Sequence, residues 1–255
     1  MATKKKRAAA RTRRAIRIGD LDRVVTDLVV ANRILAREGV VDAFGHVSVR
    51  HPDRPDRYIM SRSRAPELVT ADDLMVFELD GTPVDPKGRQ PYAERAIHSG
   101  LYAARPDVMS VIHNHSYDVI PFSVTRAQLR PMIHVAAPMG ARVPVWDIRD
   151  KFGDGDMLVV TEAQGRDLAE AVGQGSVALM RGHGCVIASR SIRLAVMTAV
   201  YTQVNARLQI EAMRLGEPKF MTQGEIDAMT KRQQTPVAAE RAWEYWCARA
   251  GVGDL

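Results

Sequence analysis

Val111-Ile112-His113-Asn114-His115 decides how the rest of the chain reads. An apolar lead-in running into two histidines one residue apart is the pattern of a β-strand. Side chains two apart on a strand leave from the same face, so both imidazoles can reach one ion. A second strand pattern, Val177-Ala178-Leu179-Met180, runs into Arg181-Gly182-His183-Gly184. A histidine between two glycines can approach closely, because neither neighbour is bulky. His113, His115 and His183 are therefore candidate ligands of one divalent metal ion, and three neutral ligands leave positions open, as catalytic sites do. Cys185 follows His183 by two residues and reads as a packed thiol rather than a soft ligand.

Outward from this core, the same alternation of strands and helices continues. After Asp20, read as an N-cap, Leu21, Val24, Val25, Leu28, Val29, Ile34 and Leu35 recur at helical spacing, and Gly39 ends the helix. Strands are predicted at 47–50, 58–60, 75–79, 108–113 and 177–180, with Asp80-Gly81 as a turn. Helices are predicted from Ala93 to Ala104, within 116–126, from Gly165 to Val172 and from Ser191 to Leu215, and a last amphipathic piece holds Trp243, Tyr245 and Trp246. No repeat or low-complexity linker interrupts the chain after residue 20. The reading is α/β, with a single domain over 20–255 that ends in a helical tail.

Net charge is +6 over 255 residues, but the excess sits in one place: Lys4, Lys5, Lys6, Arg7, Arg11, Arg13, Arg14 and Arg17, with no acid among them. Residues 1–19 are read as a basic, flexible arm. Without interleaved aromatics or a recognised binding module, nucleic acid is not the expected partner. A hydrophobic content of 46% argues for a full core and against disorder. No apolar run approaches a membrane span, so no membrane partner is expected. Two cysteines, Cys185 and Cys247, make no disulfide framework, and the expected compartment is the reducing cytoplasm.

Glu94 is the candidate proton-transfer group. It opens a helix, and His98 lies four residues on along the same face. Chemistry that makes and quenches a carbanion needs an acid/base group near the reacting carbon and an electrophile for the enolate oxygen. A carboxylate beside an open three-histidine metal supplies both.

At this point the chain resembles the class II aldolase/adducin family, over nearly all of residues 21 to 230. The matching landmarks are Phe44-Gly45-His46-Val47-Ser48-Val49-Arg50, Glu94-Arg95-Ala96-Ile97-His98, Arg105-Pro106-Asp107-Val108, the 111–115 strand, Ile133-His134 and Arg181-Gly182-His183-Gly184. The resemblance implies a three-layer α-β-α fold with a central, largely antiparallel sheet, commonly in a cyclic tetramer with sites at subunit interfaces. It also implies one divalent metal per subunit, zinc or manganese with iron as a further option, on His113, His115 and His183, with Glu94 as the acid/base residue.

Departures from the pattern narrow the function. Members that act on sugar phosphates carry Gly-Asn in the first motif, Thr-Pro-Ser-Gly in the next loop and Ser-Ser before the glutamate, small residues that let backbone N–H groups close around a phosphate. Here the corresponding residues are Gly45-His46, Met60-Ser61-Arg62-Ser63 and Tyr92-Ala93. His46, Arg62, Ser63 and Tyr92 are the candidate substrate-binding residues, with Arg64 as an alternative to Arg62. A guanidinium can fork onto a carboxylate, and a phenol can stack on a ring or bond to a hydroxyl. The chain is most similar to the branch that decarboxylates hydroxylated aromatic or pyridine carboxylic acids, so the expected substrate is a small aromatic carboxylate. The rival expectations are a retro-aldol aldolase, an iron oxygenase of the same family, and a non-enzymatic scaffold of the adducin kind.

Overall fold

The structure is a computed structural model that describes residues 19–233 and 235–253. The predicted basic arm thus lies, up to residue 18, outside the described residues. Helix α1 spans Gly19–Arg37, and Asp20 sits within its first turn rather than capping it. Then come β1 (His46–Arg50), β2 (Arg57–Ser61) and β3 (Leu74–Glu78). Helix α2 (Arg95–Ala104) leads into β4 (Ser110–Asn114), a short α3 (Ile120–Ser123) and β5 (Val145–Trp146). Next are α4 (Arg149–Phe152), α5 (Glu162–Val172), β6 (Val177–Met180) and β7 (Gly184–Ser189). Three helices close the chain: α6 (Ile192–Leu215), α7 (Gln223–Gln233) and α8 (Pro236–Ala250).

The strands form one seven-stranded sheet in the order β3-β2-β1-β4-β7-β6-β5. Among the described residues only the two-residue β5 pairs in parallel, with β6, and the other pairings are antiparallel. Strict alternation sends Val47, Val49, Ile59, Ile112, Leu179 and Ile187 to one face, where they pack with α1, α6 and the Trp243 and Trp246 rings of α8. Tyr58, Met60, Phe77, Val111, Ala178, Met180 and Val186 leave from the other face and pack with α2 and α5. These are the three layers that the resemblance implied, and the two buried clusters are its two cores.

Local signals explain the helix starts. Thr161 and Gln164 close a capping box at α5, and Ser191 accepts from the Leu194 N–H at α6. Helices α2 and α5 touch backbone to backbone. A Cβ on Gly100 would collide with the carbonyl of Gly165, and a Cβ on Gly165 with that of Ala96. This close crossing fixes where the start of α2, and therefore Glu94, sits relative to the segment that enters α5.

Two central strands differ from the sequence expectation. β7 pairs with both β4 and β6. Residues 184–189 carry almost no polar alternation, because a strand buried on both faces gives none. The 108–113 strand is shifted to Ser110–Asn114, which leaves His115 just past its end.

Candidate active site

His113 and His46 are cross-strand partners on β4 and β1, on the face that packs with α2. Their rings lie 5.0 Å apart between centroids. His115 follows β4, and His183 sits in the turn that joins β6 to β7. Gly182 adopts φ +63 there and donates its N–H to the Ser123 hydroxyl at 2.9 Å. The turn is tight because a Cβ on Gly184 would strike the Asn114 carbonyl.

Each imidazole of the trio is anchored through Nδ1 to a group that only accepts hydrogen bonds. His113 Nδ1 faces the Cys185 carbonyl at 3.1 Å, His183 Nδ1 the Met157 carbonyl at 3.1 Å, and His115 Nδ1 the Asp42 carboxylate at 3.3 Å. The proton of each neutral ring must then sit on Nδ1, which leaves the Nε2 lone pair free. Those lone pairs converge: His113 Nε2 and His115 Nε2 are 3.1 Å apart. Two unprotonated nitrogens at that separation repel unless a cation or proton lies between them, so this donor set fits a divalent ion.

Glu94 completes the cluster, with ligand atoms of all four residues within 4.8 Å of one another. Its Oε2 lies 3.5 Å from His183 Nε2 and 3.8 Å from His113 Nε2. Glu94 occupies the N-cap position of α2 but makes no capping bond with its side chain. Its Oε1 instead accepts the Val159 N–H at 3.0 Å. Burial alone would push this carboxyl up. The His183 and His113 rings and the Val159 amide outweigh burial and hold it down at about 2, a carboxylate at neutral pH.

Met157 is one of two described non-glycine residues with positive φ, at +68. Its carbonyl orients His183, and two residues on Val159 orients Glu94. One strained segment therefore sets two members of the site.

Of the remaining predicted residues, His46 and Tyr92 form a wall beside the trio. The Tyr92 ring packs 4.6 Å from that of His46, and its hydroxyl donates to the Arg64 carbonyl. Arg62 and Arg64 both reach the buried Asp73 carboxylate, at 2.7 and 3.2 Å, so neither guanidinium is free of a protein partner. Ser63 is exposed and its N–H donates to the Gln90 carbonyl at 2.7 Å. His98 shares a helix with Glu94 but turns inward, to His46 and Ser48. His134 is exposed, outside the imidazole cluster. Arg95 bonds to the Gly81 and Tyr92 carbonyls, and Arg181 pairs with Asp147 at 2.6 Å. The Cys185 thiol points to the opposite side, donates to Asn114 Oδ1 at 3.3 Å and is pushed up by burial to about 12, which makes it packing rather than a ligand.

Sequence reasoning missed Asp42, Asp73, Met157 and Val159. Asp42 had a legible local signal, since an Asx-type turn in Asp42-Ala43-Phe44-Gly45 bonds its Oδ1 to the Phe44 and Gly45 N–H groups at 2.8 and 3.3 Å. Met157 and Val159 act through the backbone and carry no signal in residue type.

Residues 26–210 match the class II aldolase and adducin N-terminal domain. Decarboxylase tropJ of Talaromyces stipitatus is 34% identical over 244 residues, covering 87% of this chain and 92% of that protein. The 3,4-dihydroxyphthalate decarboxylase of Arthrobacter keyseri is 27% identical over 199 residues, covering 74% of this chain and 78% of the relative. Among solved structures, an L-fuculose 1-phosphate aldolase from Glaciozyma antarctica PI12 superposes with a TM-score of 0.75 at 22% identity, covering 91% of each chain.

Proposed function

The chain belongs to the class II aldolase and adducin family, and from that premise we propose that it removes CO2 from a hydroxylated aromatic or heteroaromatic carboxylic acid. The broader class is a carbon–carbon lyase, the chemistry named for decarboxylase and aldolase relatives alike. The observation that carries the narrower reading is the wall beside the imidazole trio. Where a phosphate cradle needs small residues, the His46 and Tyr92 rings stand 4.6 Å apart. Two aromatic faces suit a flat ring better than a sugar phosphate.

A divalent cation, zinc or manganese by this donor set and iron as the alternative, would be held by His113, His115 and His183 and would supply Lewis-acid stabilisation of the charge that develops as CO2 leaves. Glu94, held as a carboxylate, takes the proton of the ring hydroxyl and returns it to the ring carbon after the carboxyl group has departed. Val159 and Met157 keep Glu94 and His183 at fixed orientation through that exchange. The substrate carboxylate lies on the His46 and Tyr92 side. Arg62 and Ser63 border it, with Asp73 restraining the guanidinium.

The working form is proposed to be a homo-oligomer, a tetramer in the first instance, in a reducing cytoplasm. Phe44 and Tyr117 flank His115 in sequence or space and are 69% and 74% exposed, apolar surface of the kind a second copy covers. No described helix is long and apolar enough to cross a membrane.

The test is a CO2-release screen over ortho-hydroxy aromatic mono- and diacids with metal-analysed protein. Release that stops in chelator and returns with zinc or manganese is expected. Turnover of a ketose 1-phosphate with no CO2 from any aromatic acid would replace this reading by the aldol one. Oxygen consumption would replace it by an oxygenase.

A further inference from the structure

Behind the imidazole trio, a line of polar side chains runs into the α2 core. His46 Nδ1 and His98 Nε2 are 2.6 Å apart, His98 Nδ1 and Ser48 Oγ 2.6 Å, and Ser48 Oγ and the Tyr102 hydroxyl 2.8 Å. All four residues are buried, none with more than 1% of its surface exposed. Buried polar groups at such distances must be hydrogen-bonded, and each bond has one donor.

Three proton orders are consistent with neutral rings, because a hydroxyl oxygen can accept two hydrogen bonds. In the first, the Tyr102 hydroxyl donates to Ser48, Ser48 to His98 Nδ1, and His98 Nε2–H to His46 Nδ1. In the second, every bond is reversed; in the third, His98 Nδ1–H and the Tyr102 hydroxyl both donate to Ser48. The hydroxyl proton of Tyr102 in the second order, or of Ser48 in the third, is then left in the core with no side-chain acceptor among the described residues. An orphaned buried donor carries the full desolvation cost, so the first order prevails. In that order His46 Nδ1 accepts, and its proton resides on Nε2. Burial keeps the His98 ring neutral, down at about 3, and one proton shared between two nitrogens 2.6 Å apart leaves His46 Nδ1 as the bare acceptor.

His46 Nε2 makes no hydrogen bond within the described residues, and the residue keeps 1% of its surface exposed. Its ring stands between those of His113 and Tyr92. We infer that the Tyr102–Ser48–His98 chain locks His46 as an outward N–H donor that grips an anionic oxygen of the substrate, its carboxylate, beside the metal trio. That last clause rests on the proposed decarboxylase reading; the lock itself does not. The same lock explains why His46, although packed against His113, is not a fourth imidazole ligand: the nitrogen it presents carries a proton and has no lone pair to give.

His46 is thus a substrate-binding residue, and Tyr102, Ser48 and His98 are positioning residues that act through it. Long-range 1H–15N spectra of zinc-loaded, 15N-histidine-labelled protein read which ring nitrogen is protonated, and His46→Gln identifies the His46 signals by their loss. The expected result is a His46 ring with bare Nδ1 and protonated Nε2. A proton on Nδ1 overturns the lock, and this measurement on the unaltered protein needs no other variant to fold.

Ser48→Ala removes the hydroxyl that donates to His98 Nδ1 and so sets the direction. It is expected to give mixed His46 tautomers and to weaken binding of 2-hydroxybenzoate about tenfold, the scale of one hydrogen bond to a charged group. His46→Gln, whose amide reaches the depth of Nε2, should retain more of that binding than His46→Asn. Unchanged tautomer in Ser48→Ala overturns the lock. Equal 2-hydroxybenzoate affinity in His46→Gln, His46→Asn and unaltered protein overturns the carboxylate contact. A locked tautomer in a protein that releases no CO2 would retain this inference and remove the decarboxylase reading.

Discussion

Glu94 has its two oxygens on different duties: Oε1 is tied to the Val159 N–H, while Oε2 faces the imidazoles. Glu94→Gln keeps the shape and can still meet Val159, but it cannot carry a proton from hydroxyl to carbon. Turnover should fall about 10²- to 10⁴-fold, the range for a lost acid/base group, with metal content unchanged. Metal loss in that variant would instead make Glu94 a ligand. Asp42 stands behind His115, its Oδ2 3.3 Å from Nδ1. Asp42→Asn preserves the turn but removes the charge behind the ring, and metal affinity should drop about 10- to 100-fold in a competitive chelator titration. Asp73 gives a pH signature. Burial would raise it, but the Thr70 amide, Arg62, the Thr70 hydroxyl and Arg64 together lower it to about 2. A depressed carboxyl binds fewer protons folded than unfolded, so its stabilisation is complete above the ordinary value near 3.8 and is lost as pH falls through about 2. Asp73→Asn should therefore flatten the acid limb of a denaturation profile between those values, by up to about 2 kcal/mol. An acid limb identical to that of the unaltered protein would refute it.

The contact between α2 and α5 carries the site at the level of elements. Gly100→Ala or Gly165→Ala forces the two backbones apart, and such overpacking costs roughly 1–3 kcal/mol or more. Because α2 begins beside Glu94 and α5 is entered from Val159, the same change should also misplace the Glu94–Val159 bond and lower turnover in protein that is still folded. Full activity in a destabilised Gly100→Ala protein would separate the two effects. This scale also shows what a bare sequence carries. The helices were legible where apolar residues recur every three or four positions, as in α1 and α6. His113 and His115 were legible from a period of two. β7 was not, because a central strand packed on both faces loses its alternation, although its residues border β4 all along. Arg62 and Arg64 were legible as cations, but their common partner Asp73 lies in a separate 3₁₀ turn. His98 was read with Glu94 from helical spacing; pairing across the sheet face gave it to His46 instead.

Over the whole molecule, the centre draws on segments that the chain keeps far apart. Asp42 comes from the turn after α1, and Glu94 from the start of α2. His113 and His115 come from β4, Met157 and Val159 from the approach to α5, and His183 from the β6–β7 turn. An unfolded chain offers no comparable cluster, so an ion that binds here binds almost only the native form. Mass action then converts occupancy into resistance to heat: free ion at a hundred times its dissociation constant adds about 2.7 kcal/mol to unfolding. A melting curve recorded against graded free zinc should climb logarithmically with concentration, and chelator should return it to a common floor. The melting temperature becomes a gauge of cation occupancy that needs no substrate at all.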